Sequence, residues 1–410
     1  MPRPNILWIV TTQWRAQACG YAGDANARTR FLDRLAAESV NYRQAVTPHP
    51  FGPFARAALL TGVAAPENGV RDYFDPLPKN ARTIAHALRE RGYTTAFFGK
   101  WHLGERDRAA ALVGEAHART LVSPEARGGF ETWEGFEGGF LLNDPWLHGS
   151  RLSEPEQFRG YQSDVVCERA ARWITEQAEA ARRAAPKPWF AVVSLEPPHP
   201  PYDAPAAGVA VRDPRAIALP GNVPRGGEVE ARARRELAGY YAHIEATDRA
   251  IGTWLLPRAG AGAMVVFTSA HGDMHGAQGH FRKGWPHEES VRVPLLVRGA
   301  SAVGTAARGE TRDAPVSLLD LPELTLAAAD GREPRPPAEV ARISMPSVVA
   351  LPQQCDRVWR GVRNRARKLV LGPDDAPWLY FDLEADPLEQ RNLAAEPSRR
   401  GEIAAWRKLV

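Results

Sequence analysis

Five short apolar runs, separated by longer helical stretches, constrain the fold of this 410-residue chain more than any other feature. Each run is continuous in apolar residues and bounded by polar ones, which is typical of a strand buried on both faces. The predicted strands are residues 5–10, 94–98, 189–194, 263–268 and 293–297. The predicted helices include residues 31–39, 81–91, 164–181 and 229–256. This alternation predicts an α/β fold in which helices cover both faces of a mostly parallel sheet.

A proline-rich segment at residues 333–337 predicts a boundary within the chain. Four short apolar segments and a final helix follow it, which favours a small antiparallel sheet. The predicted strands there are residues 343–351, 358–362, 368–371 and 379–382. We therefore predict an α/β domain over residues 1–337 and a C-terminal subdomain over residues 338–410.

Composition and charge narrow the class of protein only slightly. The apolar and charged fractions, 44% and 24%, are those of an ordinary globular protein. The net charge of +4 comes from scattered arginines, so we expect no nucleic-acid surface. Three widely spaced cysteines, Cys19, Cys167 and Cys355, show no disulfide or CxxC pattern and favour a reducing compartment. The first apolar run is too short for a signal peptide or a membrane span. We expect a cytoplasmic protein that binds no membrane, as a monomer or a homo-oligomer.

The residues just after the apolar runs are the first candidates for a site, because ligands bind at the carboxyl ends of parallel strands. These residues are Thr12, Gln13, Lys100, His102, His199, Ala270 and His271. Residues 105–148 are rich in glycine and acidic residues, and we predict long loops that cover this edge.

Several motifs around these candidates resemble those of the type I sulfatases, in the alkaline phosphatase superfamily. The motifs are Thr-Pro-His-Pro-Phe-Gly-Pro-Phe-Ala-Arg-Ala-Ala-Leu-Leu-Thr-Gly at 47–62, Gly-Lys-Trp-His-Leu-Gly at 99–104, Pro-Pro-His-Pro-Pro-Tyr at 197–202, Thr-Ser-Ala-His-Gly-Asp at 268–273 and Asp-Leu-Glu-Ala-Asp-Pro-Leu-Glu-Gln-Arg-Asn-Leu at 382–393. The resemblance spans the whole chain. It implies a three-layer sandwich with a large mixed, mostly parallel sheet and a small antiparallel C-terminal subdomain.

The segment at 47–62 departs from the sulfatase pattern at the nucleophile. The family has a Cys-x-Pro-x-Arg box, whose cysteine is oxidised to the formylglycine that attacks the ester. Arg56 matches the arginine, but Gly52 stands at the cysteine position and Phe54 at the proline position. Glycine supplies neither a nucleophile nor a metal ligand. The resemblance therefore implies that the formylglycine route is absent.

The two metal half-sites of the family are also degenerate here. Thr12 and Ala270 replace the family's metal-binding aspartates, whereas Gln13 and His271 keep their places. Calcium takes six to eight oxygen ligands, several of them from carboxylates. We expect no cofactor and neither Ca²⁺ nor Mg²⁺ at these positions. A zinc site through His271 and His275 is an alternative if that segment is helical, and Thr12 has a purely structural alternative as a turn cap.

The basic residues of the family pocket are retained. The resemblance assigns substrate binding to Arg56, Lys100, His102, His199 and Lys283. Together they imply a cationic pocket for a small sulfated, phosphorylated or carboxylated ligand. The structural alternatives are a surface lysine at position 100 beside a packed His102, and a merely structural His199 in a proline-rich turn. For His243 and Asp248, in a matching helix, we expect structural roles.

Two functions stay open at this point. The first is a pseudo-sulfatase, a non-catalytic homologue that binds an anionic ligand or a partner. The second is a repurposed hydrolase or transferase without a formylglycine intermediate. In that case His102, His199 or His271 performs acid–base catalysis.

Overall fold

The computed structural model describes residues 3–183, 187–299 and 308–410. The strands are β1 (Ile6–Thr11), β2 (Val40–Tyr42), β3 (Ala45–Val46), β4 (Thr94–Lys100), β5 (Thr132–Phe136), β6 (Trp146–Gly149), β7 (Leu152–Gln157), β8 (Trp189–Ser194), β9 (Met264–Ser269), β10 (Leu295–Arg298), β11 (Thr311–Arg312), β12 (Val316–Ser317), β13 (Ala341–Met345), β14 (Trp359–Arg363), β15 (Arg367–Leu371) and β16 (Pro377–Asp382). The α-helices are α1 (Arg30–Ala37), α2 (Gly52–Thr61), α3 (Ile84–Arg89), α4 (Glu115–Ala118), α5 (Gln162–Arg183), α6 (Glu228–Ala250), α7 (Leu256–Ala259), α8 (Glu288–Val291), α9 (Leu321–Asp330) and α10 (Arg400–Arg407).

The large sheet has the strand order β11-β2-β10-β9-β1-β8-β4-β5-β6-β7 in the described residues. Its centre is parallel, because β1 pairs with β8 and β9 in parallel and β4 pairs with β8 and β5 in parallel. Antiparallel pairs flank the centre, β10 beside β9 on one side and β6 beside β5 on the other. The predicted mixed, mostly parallel sheet is confirmed.

Helices cover both faces of this sheet. Alternate residues of each central strand point to opposite faces, and the apolar side chains on each face pack against a different set of helices. On β1, Trp8 and Val10 belong to a hydrophobic cluster that includes side chains of α2, α3 and α9. Leu7 and Ile9 belong to a second cluster, with α1, α5 and α6. The fold is therefore the expected three-layer sandwich.

The C-terminal strands form a separate antiparallel sheet in the order β13-β14-β15-β16. Its core side chains divide between two clusters. Ile343 and Trp359 join the cluster beneath α2, whereas Val362, Leu369 and Tyr380 pack with Ile403 of α10. The predicted small antiparallel sheet is confirmed. Side chains on one of its faces belong to the same hydrophobic cluster as Trp8 and Val10 of β1.

The prediction of continuous loops over residues 105–148 is wrong in one respect, because β5 and most of β6 lie there and extend the large sheet. The β5 sequence, Thr-Trp-Glu-Gly-Phe, lacks the continuous apolar run that identifies the central strands. The predicted helix over 229–256 is helical throughout, because α6 passes at Ala250 into a π-helical turn, Ile251–Leu255, that leads directly into α7. None of the described helices combines the length and the apolar character that crossing a membrane requires.

Candidate functional site

The candidate residues meet at one edge of the sheet, where four adjacent parallel strands end. The strand order there is β9-β1-β8-β4, and the register aligns Thr11 with Ser269 and Val10 with Ser194. The residues that follow these strand ends are therefore neighbours in space. Helix α2 begins at Gly52 on the same edge, and its arginine, Arg56, reaches the ends of β4 and β8.

His102 lies where a side chain on residue 52 would stand. A Cβ atom placed on Gly52 would come within 2.7 Å of His102 Nδ1 and 3.0 Å of its Cε1. Real Cβ contacts essentially never come closer than 3.0 Å, so the imidazole uses space that the glycine leaves free. The Nε2 atom of His102 is 3.4 Å from the hydroxyl of Tyr73, and Nδ1 has no hydrogen-bond partner.

Arg56 contacts only neutral oxygen atoms. Its guanidinium donates to the carbonyl oxygen of Lys100 at 3.2 Å, to the Ser194 hydroxyl, and to the Thr12 hydroxyl at 2.7 Å. Burial lowers the pKa of Arg56 to about 10, which still leaves it charged at neutral pH. Arg56 therefore keeps a positive charge that no carboxylate of the described residues contacts.

Lys100 forms the buried ion pair of the site. Its ammonium lies 2.5 Å from Oε1 of Glu196, and the two side chains are 1% and 0% exposed. The surface-lysine alternative for this residue is therefore wrong. Burial lowers the pKa of Lys100 to about 8, although Glu196 opposes that shift. The ring of Phe140 lies 4.8 Å from the ammonium.

Lys283 contacts neutral groups. Its ammonium donates to Gln13 Oε1 at 2.5 Å and to His199 Nε2 at 2.9 Å. Burial, and next the charge of Lys100, lower the pKa of Lys283 to about 7. His199 donates from Nδ1 to the carbonyl oxygen of Pro200 at 2.7 Å, and its ring stacks on Phe140. His199 thus contacts another candidate residue, Lys283, in addition to its own turn.

The three candidate histidines are buried and neutral. His102 and His199 are 5% exposed, and His271 is 0% exposed. Burial is the main cause that holds the pKa of each well below its usual value, and the nearby lysines lower it further. His271 donates from Nδ1 to the carbonyl oxygen of Gly272 at 2.9 Å, and its Nε2 has no partner. In the described residues, one ring nitrogen of His102 and one of His271 therefore have no hydrogen-bond partner.

The residues at the two metal half-sites do not fit a hard divalent cation. The Thr12 hydroxyl donates to the carbonyl oxygen of Leu195 at 3.0 Å and accepts from Arg56, so it bridges strand ends and does not cap a turn. Ala270 carries no oxygen on its side chain. The Gln13 oxygen already accepts from an ammonium group. Asp273, a carboxylate that contacts Gln13, also accepts from the Tyr202 hydroxyl at 2.8 Å and from two backbone N–H groups.

The zinc alternative required His271 and His275 to share a helical turn, and the segment between them is not helical. His275 packs instead against the rings of Tyr202 and Tyr240. Across residues 3–183, 187–299 and 308–410, no group of three or more His, Cys, Asp or Glu side chains is arranged to hold a metal ion.

Sequence reasoning missed the acidic partners of the site. Glu196 follows β8 by two residues, a position that could have singled it out beside His199. Glu137 and Arg106 form a second buried pair 3.5 Å apart, and burial raises the pKa of Glu137 to about 7. Arg106 also lies over the ring of Tyr73, the residue that contacts His102. Arg106 and Glu137 belong to the segment expected to be loops, where no periodic pattern marks them.

The two residues of the matching helix lie outside this network. Asp248 accepts from the backbone N–H groups of Phe31 and Leu32 at the start of α1. His243 shares a hydrogen bond of 2.9 Å with the Tyr161 hydroxyl. These contacts agree with the structural roles predicted for Asp248 and His243.

Comparison with known proteins agrees with this architecture. The ulvan-active sulfatase of Formosa agariphila is 33% identical over 96% of this chain and 78% of its own length. The arylsulfatase of Clostridium perfringens is 26% identical over 100% of this chain and 94% of its own length.

Solved structures show the same fold. YidJ of Bacteroides fragilis superposes with a TM-score of 0.83 at 23% identity, covering 100% of this chain and 95% of that one. A phosphonate monoester hydrolase of Agrobacterium radiobacter superposes with a TM-score of 0.75 at 19% identity, covering 99% and 94%. The family profile described as Sulfatase matches residues 4–331. This chain therefore belongs to the sulfatase family.

Proposed function

We propose that this protein is a pseudo-sulfatase that binds a small oxyanion, or an ester of one, without turning over sulfate esters by the formylglycine route. The observation that carries the proposal is the charge balance at the strand ends. Arg56 is cationic, Lys100 and Lys283 are cationic below their lowered pKa values of about 8 and about 7, and in the described residues Glu196 is the one carboxylate that contacts any of the three. A buried excess of positive charge is costly unless an anion compensates it.

The chemistry needed for the relatives' reaction is missing from the same place. Residue 52 has no side chain, and the space beside it holds an imidazole. The metal half-sites offer a hydroxyl, an amide, a methyl group and an imidazole, and the first two are already hydrogen-bonded within the chain. We therefore infer that the protein needs no divalent cation to hold its ligand. The relatives' names point to sulfate esters as one source of the anion.

A second candidate function is a hydrolase or transferase that works through histidine. The observation in its favour is that His102 and His271 are buried with one unpartnered ring nitrogen each. A neutral imidazole with a free lone pair is the form that a general base requires.

Thermal unfolding in the presence of sulfate tests the binding proposal. A ligand that binds only the folded state stabilises it, by about 2.7 kcal/mol at a hundredfold excess over Kd. We expect sulfate to raise the Tm of the unmutated protein, and Lys283→Met to remove the shift without leaving an unpaired buried carboxylate. Lys79→Met is the matched control, because the Lys79 side chain is 58% exposed and its ion-pair partner, Glu125, is also on the surface. A Tm unaffected by sulfate, or a shift that survives Lys283→Met, would refute the proposal.

A further inference from the structure

We infer that His102 accepts a phosphoryl group on Nδ1 from a phosphate monoester held in this pocket. The inference rests on the proposed oxyanion site and adds a covalent reaction to it. Its structural basis is the position of one buried, unpartnered nitrogen atom beside the first residue of α2.

The hydrogen bonding of His102 leaves Nδ1 available. Its Nε2 lies 3.4 Å from the Tyr73 hydroxyl, which can accept the ring proton, and in that tautomer the Nδ1 lone pair is free. The Tyr73 ring also packs edge-on against the imidazole and restricts its rotation. The backbone of His102 has a positive φ of 59°, which is uncommon outside glycine and places the ring against Gly52. Burying a nitrogen without a partner costs free energy, and a bound electrophile would recover that cost.

The surroundings of Nδ1 suit a phosphoryl group. Helix α2 starts at Gly52, and its N-cap residue, Phe51, provides no side-chain hydrogen bond to the first turn. The positive end of a helix attracts phosphate oxygens. The guanidinium of Arg56 extends from the same helix, and Lys100 ends the strand that leads to His102. Burial, and then charges that include Lys100 and Arg56, lower the pKa of His102 and keep its imidazole neutral.

The reaction is a displacement at phosphorus. The Nδ1 lone pair forms the N–P bond, and the P–O bond to the alcohol or phenol breaks with its electron pair on the leaving oxygen. A phenolate leaves directly, and an alkoxide takes a proton from water. The phosphorylated ring keeps its Nε2 proton, hydrogen-bonded to Tyr73. Attack of water on phosphorus then releases phosphate and restores the imidazole, so water is the only co-reactant.

Intact mass spectrometry after brief mixing with p-nitrophenyl phosphate tests the inference. We expect one phosphoryl group per chain, stable in alkali and lost in acid as a phosphohistidine is, with peptide mapping to His102. His102→Asn should lower the adduct at least tenfold. Gly52→Ala should do the same, because the new Cβ would occupy the position 2.7 Å from Nδ1 and displace the ring. His86→Gln is the control that should leave the adduct unchanged, since His86 lies on α3 and contacts Thr83.

The outcomes separate this inference from the proposed function. An adduct that survives His102→Asn, or that maps to another residue, overturns the inference. If phosphate and sulfate raise the Tm but no adduct forms, the inference fails and the binding proposal stands. If neither anion raises the Tm and no adduct forms, both fail.

Discussion

Removing the ammonium of Lys100 should destabilise the protein by about 3–5 kcal/mol, the range measured when one member of a buried ion pair is deleted. The structure supports a value within this range. Glu196 is 0% exposed, and its Oε2 already lacks a hydrogen-bond partner. The remaining close group, His199 Nδ1, is 3.7 Å from Oε1 and donates instead to Pro200. Lys100→Met would therefore leave a buried carboxylate without any hydrogen bond from a side chain.

A double-mutant cycle isolates the pair from the packing of the lysine chain. Lys100→Met removes the charge and keeps a side chain of similar length, and Glu196→Gln removes the carboxylate at nearly constant shape. The double variant buries a neutral amide, which costs about 1–3 kcal/mol when its hydrogen bonds are incomplete. The double variant should therefore lose less free energy of unfolding than the sum of the losses in the two single variants. We expect this difference, the coupling energy, to exceed about 1 kcal/mol.

Urea unfolding followed by tryptophan fluorescence measures these differences. With an m-value of roughly 3 kcal/mol per molar urea, Lys100→Met should lower the midpoint by about 1 M, and the double variant should recover part of that loss. A loss below 1 kcal/mol in the single variant would show that Glu196 is hydrated or repaired by another cation. A double variant as unstable as the sum of the single variants would show that the two groups do not interact.

Three further results are expected. Elemental analysis of the purified protein should find much less than one Ca²⁺ or Mg²⁺ per chain, because Thr12 and Ala270 supply no carboxylate; one tightly held ion per chain would contradict this. Sulfate should protect the protein less as the pH rises from below 7 to above 8, since Lys283 and Lys100 are protonated below their lowered pKa values of about 7 and about 8 and neutral above them. Sulfate itself does not titrate there, so an unchanged Tm shift between pH 6 and 9 would count against both lysines as binding groups. Gly52→Cys alone should give no sulfatase activity with a formylglycine-generating enzyme present, because Phe54 replaces the proline of the modification box and the new side chain collides with an imidazole. Gly52→Cys combined with Phe54→Pro, Thr12→Asp and Ala270→Asp should bind a divalent cation and hydrolyse an aryl sulfate at a rate ~10²–10⁴-fold below that of a natural enzyme. If Gly52→Cys alone were as active as this combined variant, the metal would be dispensable.

Two features of the fold were readable from the sequence because they depend on local pattern. The continuous apolar runs identified the central strands, and 189–194 was predicted at the bounds that β8 has. The order of the motifs along the chain indicated the family. The sequence pattern did not identify β5 and β6, because Glu134 and Gly135 interrupt the apolar pattern of β5, although four of its five residues are buried, and His148 and Gly149 interrupt that of β6.

The residue types at the site were also given by the sequence, since a glycine at position 52 and an alanine at position 270 need no structure to be seen. Only the tertiary structure decided which side chains meet there. It places His102 in the space beside Gly52, joins Lys100 to Glu196, and brings Lys283 to Gln13. These pairs are separated by between 50 and 270 residues in the chain. Their contacts depend on the register of the parallel strands and on the packing that orients each buried side chain, and neither quantity has a local signature in the sequence.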